Sequence, residues 1–264
     1  MNVGIIGAGN MAQALLSPMK GFFSQSASEI KIYTPTKIRA HALAKILNGK
    51  AVDQLEDVAD CELIILAHKP QQLNEVCQQV KFKPNTAIIS LLASIETGQL
   101  KNCFGVNKVL RLMPNTPAQV GLGVVTYFFE QQNEQFFLPW VEALAQNSLI
   151  HRFEKESLID LMTPELGSGP GMVLEMIRIF SHSLEQKGMG PEEAMRLSAM
   201  VFEGSGALVK LTGQKPEELR NKVTSKGGIT QECLRHLSEQ HIEKIFHDAF
   251  KAGHNRAVEL KTAK

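Results

Sequence analysis

The chain has 264 residues, room for one large domain or two modest ones. Hydrophobic residues make up 44% and charged residues 21%, ordinary for a soluble globular protein, and a net charge of +1 argues against nucleic acid or an anionic membrane as partner. No apolar run is long enough to span a bilayer, and MNVGIIGAGN enters a strand pattern without the basic start and cleavage site of a signal peptide.

In chain order, VGII (3–6), IKIY (30–33), ELIILA (62–67), TAIISLL (86–92), KVLRLM (108–113) and VVTYFF (124–129) read as strands. Several are continuous runs of Val, Ile and Leu, as in strands buried on both faces. Helical patterns lie between them near 10–19, 37–47, 71–80 and 133–146. This rhythm predicts right-handed crossovers and a parallel, doubly wound, Rossmann-like α/β sheet over residues 1–154. From 155 to 264 the strand signal disappears. KESLIDLMTPEL, MVLEMIRIFSHSLEQKG, PEEAMRLSAMVFEGSGALVKL, TQECLRHLSEQ and HIEKIFHDAFKAGHNRAVELK all carry helical periodicity, with Pro191 and Pro216 at helix starts. Met172, Met176, Met189, Met195 and Met200 read as apolar helix faces packed into a core or a subunit contact.

Gly7-Ala8-Gly9-Asn10-Met11-Ala12 follows the first strand directly and opens a helix, the G-x-G-x-x-A form of a dinucleotide site. Gly7 makes the tight turn, Gly9 lets a pyrophosphate approach the backbone, and Ala12 lets helix and strand pack closely. At the end of the second strand an NAD site wants a carboxylate for the ribose hydroxyl. Here stand Tyr33-Thr34-Pro35-Thr36-Lys37-Ile38-Arg39, with hydroxyls and two cations that suit a 2′-phosphate. NADP(H) is therefore expected, with NAD(H) the alternative. Ligands in such sheets bind outside the strand carboxyl ends, which turns attention to Ala67-His68-Lys69-Pro70-Gln71, Ser90-Leu91-Leu92-Ala93-Ser94 and Met113-Pro114-Asn115-Thr116-Pro117. Pro70 and the Pro114/Pro117 pair make the loops rigid, and Lys69 and Asn115 are either cofactor contacts or ordinary strand-end residues. His68 has a pKa near neutrality, but nothing in the sequence aims it at a substrate.

Cys61, Cys77, Cys103 and Cys233 form no CxxC pair, which points to reduced thiols in a cytoplasm rather than to a disulfide or zinc framework. His236, His241, His247 and His254 lack the i, i+4 spacing of helical metal ligands, so no metal is expected. The two adjacent glycines of VTSKGGIT (223–230) interrupt a helix-rich region, where they are either a bare turn or an exposed backbone put to use.

GIIGAGNMAQAL, AHKPQ, RLMPNTP, GSGPGM and VTSKGGIT, in this order and at these spacings, resemble pyrroline-5-carboxylate reductase from Asn2 to about Leu237. The resemblance implies an N-terminal NADP-binding domain holding the cofactor through Gly7, Ala8, Gly9, Asn10, Met11, Thr34, Thr36, Lys37, Arg39, Ala67, Lys69, Pro70, Ala93 and Asn115. It implies a C-terminal helical domain that interlocks in a homodimer, or a higher homo-oligomer, and completes the active sites. It also implies the reaction, in which hydride passes from NADPH to the carbon of a cyclic C=N bond to give L-proline. The family's carboxylate clamp maps onto Ser225, Gly227 and Gly228, with Thr230 beside the ring nitrogen; Thr230 as a plain N-cap is the alternative. Gly167-Ser168-Gly169-Pro170 matches the family's break between the first C-terminal helix and the long one.

Some positions depart from the family's usual pattern. SPGG becomes Ser225-Lys226-Gly227-Gly228, a small or hydroxyl residue becomes Ile229, Ala-Tyr becomes Gly171-Met172, and Ala-Gly becomes Ala93-Ser94. Two other functions stay open on the sequence: a paralogous NADP-dependent reductase of another small imine or keto acid, and a non-catalytic NADP-binding regulatory protein.

Overall fold

The computed structural model describes residues 1–262. They divide into two compact units, residues 1–168 with the tail from 254, and residues 169–253.

The first unit is built on eight strands: β1 (Asn2–Ile6), β2 (Glu29–Tyr33), β3 (Lys50–Ala51), β4 (Leu63–Leu66), β5 (Ala87–Ser90), β6 (Lys108–Pro114), β7 (Gly123–Phe129) and β8 (Ser148–Arg152). They form one sheet in the order β3-β2-β1-β4-β5-β6-β7-β8. Every pairing is parallel except β6 with β7. The expected all-parallel sheet is thus corrected at one place. A short 3₁₀ turn, Thr116–Val120, brings the chain straight back from β6 into β7 without the crossover that a parallel pair needs. The sequence reading also passed over β3, which has two residues, and β8, an edge strand whose alternating exposure gives no continuous apolar run.

Around the sheet lie α1 (Asn10–Leu16), α2 (Lys20–Ser26), α3 (Lys37–Leu47), α4 (Leu73–Gln79), α5 (Thr97–Phe104), α6 (Glu134–Ala145) and α7 (Ser157–Leu166). The period of two along each strand sends neighbours to opposite faces. Leu63 and Ile65 join the core cluster beneath α1–α3 and α6, while Ile64 and Leu66 join the cluster beneath α4 and α5. Fully burying such a side chain contributes about 1.5–3 kcal/mol, which is why β4, with four buried residues in succession, is fixed at the centre of the sheet.

Arg111 lies on β6 and is only 1% exposed. Its guanidinium meets Asp160 of α7 in a bidentate pair at 2.5 and 3.1 Å and reaches Glu156 at 3.2 Å. Glu156 in turn accepts from the backbone N–H and hydroxyl of Thr97, both at 2.7 Å. A buried guanidinium is tolerable only with such complete pairing, and the cluster locks α7 and the start of α5 to the sheet. Cys77 on α4 and Cys103 on α5 are disulfide-bonded, with Cα atoms 5.9 Å apart. This corrects the expectation of four scattered thiols. The two residues sit on successive crossover helices packed side by side, a proximity that no CxxC spacing signals.

The second unit holds α8 (Gly169–Glu185), α9 (Pro191–Thr212), α10 (Pro216–Lys222), α11 (Ile229–Glu239) and the first part of α12 (Ile242–Thr262). Both expected helix-start prolines, Pro191 and Pro216, occupy the first turn. α8 and α9 pack through buried Ala194 and Ser198 and an edge-on pair of Phe180 and Phe202, with ring centroids 5.0 Å apart. Apolar side chains on the same helices are left to solvent, among them Leu174 (61%), Met195 (58%), Met200 (60%) and Leu211 (82%).

Candidate functional site

The sheet order reverses direction between β1 and β4, so a crevice opens outside their carboxyl ends. There a cavity of about 460 Å³ is bounded by Gly7, Ala8, Gly9, Asn10 and Met11, by Thr34, Thr36 and Arg39, and by Ala67, His68 and Lys69. Residues from three chain segments that the sequence proposed separately therefore come together.

Gly7 has φ +103°, and a Cβ on it would stand 2.5 Å from the Ala67 carbonyl and the His68 nitrogen. Only glycine fits there. The turn is further set by Gly7 N–H donating to the Tyr33 carbonyl at 2.8 Å. Gly9 differs: nothing lies within 4 Å of where its Cβ would be. Protein packing does not require that glycine, and the open space it leaves is where a pyrophosphate would sit. α1 begins just beyond it with no side-chain cap and no acidic residue in its first turn, so its first N–H groups are available to an anion. No carboxylate stands at the end of β2, and Arg39 faces the cavity. The donor set fits an anionic dinucleotide with an extra phosphate on its ribose.

Lys37 and Pro70 do not line the cavity, and neither do Ala93 and Asn115. The Lys37 ammonium pairs with Asp53 at 2.5 Å, and its hydrogen bond holds the Asp53 carboxyl below the usual range. Both are well exposed, so the pair is weak. Asn115 is 6% exposed; its amide donates to the Leu166 carbonyl and its oxygen accepts from Val124 N–H, both at 2.9 Å. It pins the loop after β6 between β7 and the end of α7. Ser94, beside Ala93, takes φ +59°. That is the left-handed region, which favours glycine over a residue with a side chain.

His68 bounds the cavity with Nδ1 2.9 Å from the Lys69 carbonyl oxygen, so Nδ1 carries the proton and donates. Its Nε2 is buried with no hydrogen-bond partner in the protein. Burial pushes its pKa below the ordinary 6.5, which keeps the ring neutral. Tyr33, at the end of β2, also lines the cavity, as do Gln72, Glu75, Val76 and Gln79, which nothing in the sequence singles out. The last three follow one another at helical spacing on α4 (75, 76, 79), a signal visible only once α4 is known to flank the crevice.

The second glycine loop lies in the second unit, between α10 and α11. Gly227 has φ +73°, and Gly228 N–H donates to the Ser225 carbonyl at 3.0 Å. Gly227 N–H donates to Gln231 Oε1 at 2.6 Å, a side-chain oxygen held where a carboxylate oxygen could bind. The N-cap of α11 is Gly228, and Thr230 is the second residue of the helix. The open alternative, Thr230 as N-cap, is thereby excluded. Ser225, Lys226 and Gly227 are exposed, and Ile229 is 87% exposed.

Residues 156–260 match the family model described as pyrroline-5-carboxylate reductase dimerisation. Residues 2–94 match one described as NADP oxidoreductase coenzyme F420-dependent. The pyrroline-5-carboxylate reductase of Aquifex aeolicus is 30% identical over 244 residues, covering 91% of this chain and 90% of that one. The enzyme of the same name from Pseudomonas aeruginosa is 29% identical over 98% of this chain and 96% of its own. Among solved structures, Plasmodium falciparum pyrroline carboxylate reductase with NADP bound superposes with a TM-score of 0.84 at 23% identity, covering 99% of this chain and 98% of that one.

Proposed function

The chain belongs to the pyrroline-5-carboxylate reductase family, and from that premise we propose that it reduces 1-pyrroline-5-carboxylate to L-proline with NADPH. The observation that carries the reading is the crevice at Gly7–Met11, whose residues fit an anionic dinucleotide.

NADPH, when bound, supplies the hydride. The chain's own residues do the rest. Gly7 to Met11 would hold the pyrophosphate on backbone N–H groups, and Thr34, Thr36 and Arg39 the phosphate on the ribose. We place the substrate carboxylate on the amides of Gly227 and Gly228, with Ser225 beside it. The Thr230 hydroxyl is placed as hydrogen-bond partner of the ring nitrogen, where it holds the ring in register. A protonated cyclic imine is already electrophilic at carbon, so the protein's task is orientation rather than acid–base chemistry.

We further propose that the chain acts as a homodimer through its second unit. The matched family region is named for dimerisation, and the exposed apolar residues of α8 and α9 form the kind of surface a second copy would cover. No helix among the described residues is long and apolar enough to cross a membrane. We take the reaction to be cytoplasmic, which cell fractionation checks.

NADPH oxidation is followed with pyrroline-5-carboxylate and with a panel of other cyclic imines and keto acids. The reading expects turnover of pyrroline-5-carboxylate above all others. Folded, NADPH-binding protein that prefers another imine or keto acid would move the chain to the paralogous reductase.

A further inference from the structure

Cys77 and Cys103 are bonded, but the two sulfurs differ in access. Cys77 is 8% exposed and packs into the core with Leu73 and Val76, while Cys103 lies partly exposed at the rim of that cluster. The Cα separation of 5.9 Å is an ordinary one for the bond. α4, which carries Cys77, is also a wall of the dinucleotide crevice through Glu75, Val76 and Gln79. α5, which carries Cys103, packs into the same core cluster and has a further anchor beyond it. Leu100 and Phe104 are in the core, and Thr97 is bound twice to Glu156 of the buried Arg111 cluster. The bond therefore ties a wall of the cofactor crevice to a neighbouring helix that is also anchored to the Arg111 cluster.

We propose that Cys77 and Cys103 form a thiol–disulfide exchange site, and that its oxidised state holds α4 in the position that receives the cofactor. The coupling to cofactor rests on the proposed function; the exchange site does not. The reactant is a small thiol or a dithiol protein. Its thiolate attacks the accessible Cys103 sulfur, the S–S bond breaks, and Cys77 leaves as a thiolate that takes up a proton. A second external thiolate attacks the outer sulfur of the mixed disulfide and frees Cys103. Two external thiols are oxidised to one disulfide, and the protein disulfide is reduced to two thiols. The other cysteines stay outside the exchange: Cys61 is 1% exposed, and Cys233 is exposed on α11 in the other unit.

The full-length protein is equilibrated with dithiothreitol or with diamide, unfolded, alkylated with iodoacetamide and weighed, and its NADPH affinity is titrated by fluorescence in both states. After oxidation two alkyl groups are expected, on Cys61 and Cys233, and after reduction four. Peptide mapping should join the peptides of Cys77 and Cys103. Loss of the pre-organised wall should weaken NADPH binding about three- to tenfold on reduction, and Cys103→Ser should show the weaker value in both states. Four alkyl groups in both states, or a bond that involves Cys61 or Cys233, would overturn the exchange site. Equal NADPH affinity in the two states would overturn the coupling. No NADPH binding in either state would sink the cofactor reading and the coupling together, while the alkylation count still decides the exchange site.

Discussion

Two glycine loops, one at each end of the chain, carry the proposed chemistry, and they are held in opposite ways. Gly7 is enforced by packing, because the Ala67–His68 peptide occupies the place of its side chain. Gly227 has nothing within 4 Å of a prospective Cβ; its positive φ and a hydrogen bond from its own amide to Gln231 define it instead. The first loop is preformed within its unit. The second is exposed and satisfied by a side chain of its own helix, a state that a substrate carboxylate would have to displace. The contrast is between a turn enforced by packing and a turn held by a hydrogen bond within its own helix.

The largest expected effect tests that contrast directly. Gly7→Ala should abolish measurable NADPH binding and lower stability by about 3 kcal/mol, since it meets both a backbone clash and a disfavoured φ. Gly227→Ala meets only the φ penalty, about 1–2 kcal/mol, and should leave NADPH affinity unchanged. Thermal unfolding with NADPH titration checks both; equal losses in the two variants would break the comparison. Next in size, Thr230→Ala should reduce kcat roughly ten- to hundredfold with NADPH affinity intact, as expected when one positioned hydrogen bond at the reacting nitrogen is lost. A change confined to stability would reduce Thr230 to a helix residue.

Gln231→Leu sharpens the picture of the second loop. It frees the Gly227 amide, and because one net hydrogen bond contributes about 1 kcal/mol, KM for the substrate should fall by about two- to fivefold with kcat unchanged. A rise in KM would show instead that Gln231 shapes the loop. The smallest effect concerns His68, in the first loop's wall. Its native pKa is depressed, so below pH 6.5 the unfolded chain takes up a proton that the native chain refuses, and stability falls as pH drops. His68→Val should flatten that fall, a difference of at most about 1.4 kcal/mol per pH unit, measured by denaturant unfolding between pH 5 and pH 7.

How much of this could be read from the sequence follows the same division. α3 runs from Lys37 to Leu47, the span the periodicity predicts, and the six long strands fall within a few residues of their apolar runs. α5 went unseen because eight residues led by Thr97-Gly98 give little period to detect. The glycine crevice was legible because a strand, a turn and a helix are adjacent in sequence. Arg111 was not, although a lone arginine inside KVLRLM was a sign: its partners Glu156 and Asp160 stand 45 and 49 residues away. The Cys77–Cys103 bond was hidden for the same reason, being 26 residues long in sequence and short only in space. The Gly227–Gln231 bond is local, yet it depends on a rotamer that no pattern encodes.

The central claim is that hydride moves from NADPH to the imine carbon of pyrroline-5-carboxylate. NADPH carrying deuterium at its transferable position, incubated with the protein and substrate, tests this in one measurement by mass spectrometry and NMR of the product. The account predicts L-proline with a single deuterium on the ring carbon that was doubly bonded to nitrogen. Unlabelled proline, or no proline from folded protein that binds both ligands, would contradict it.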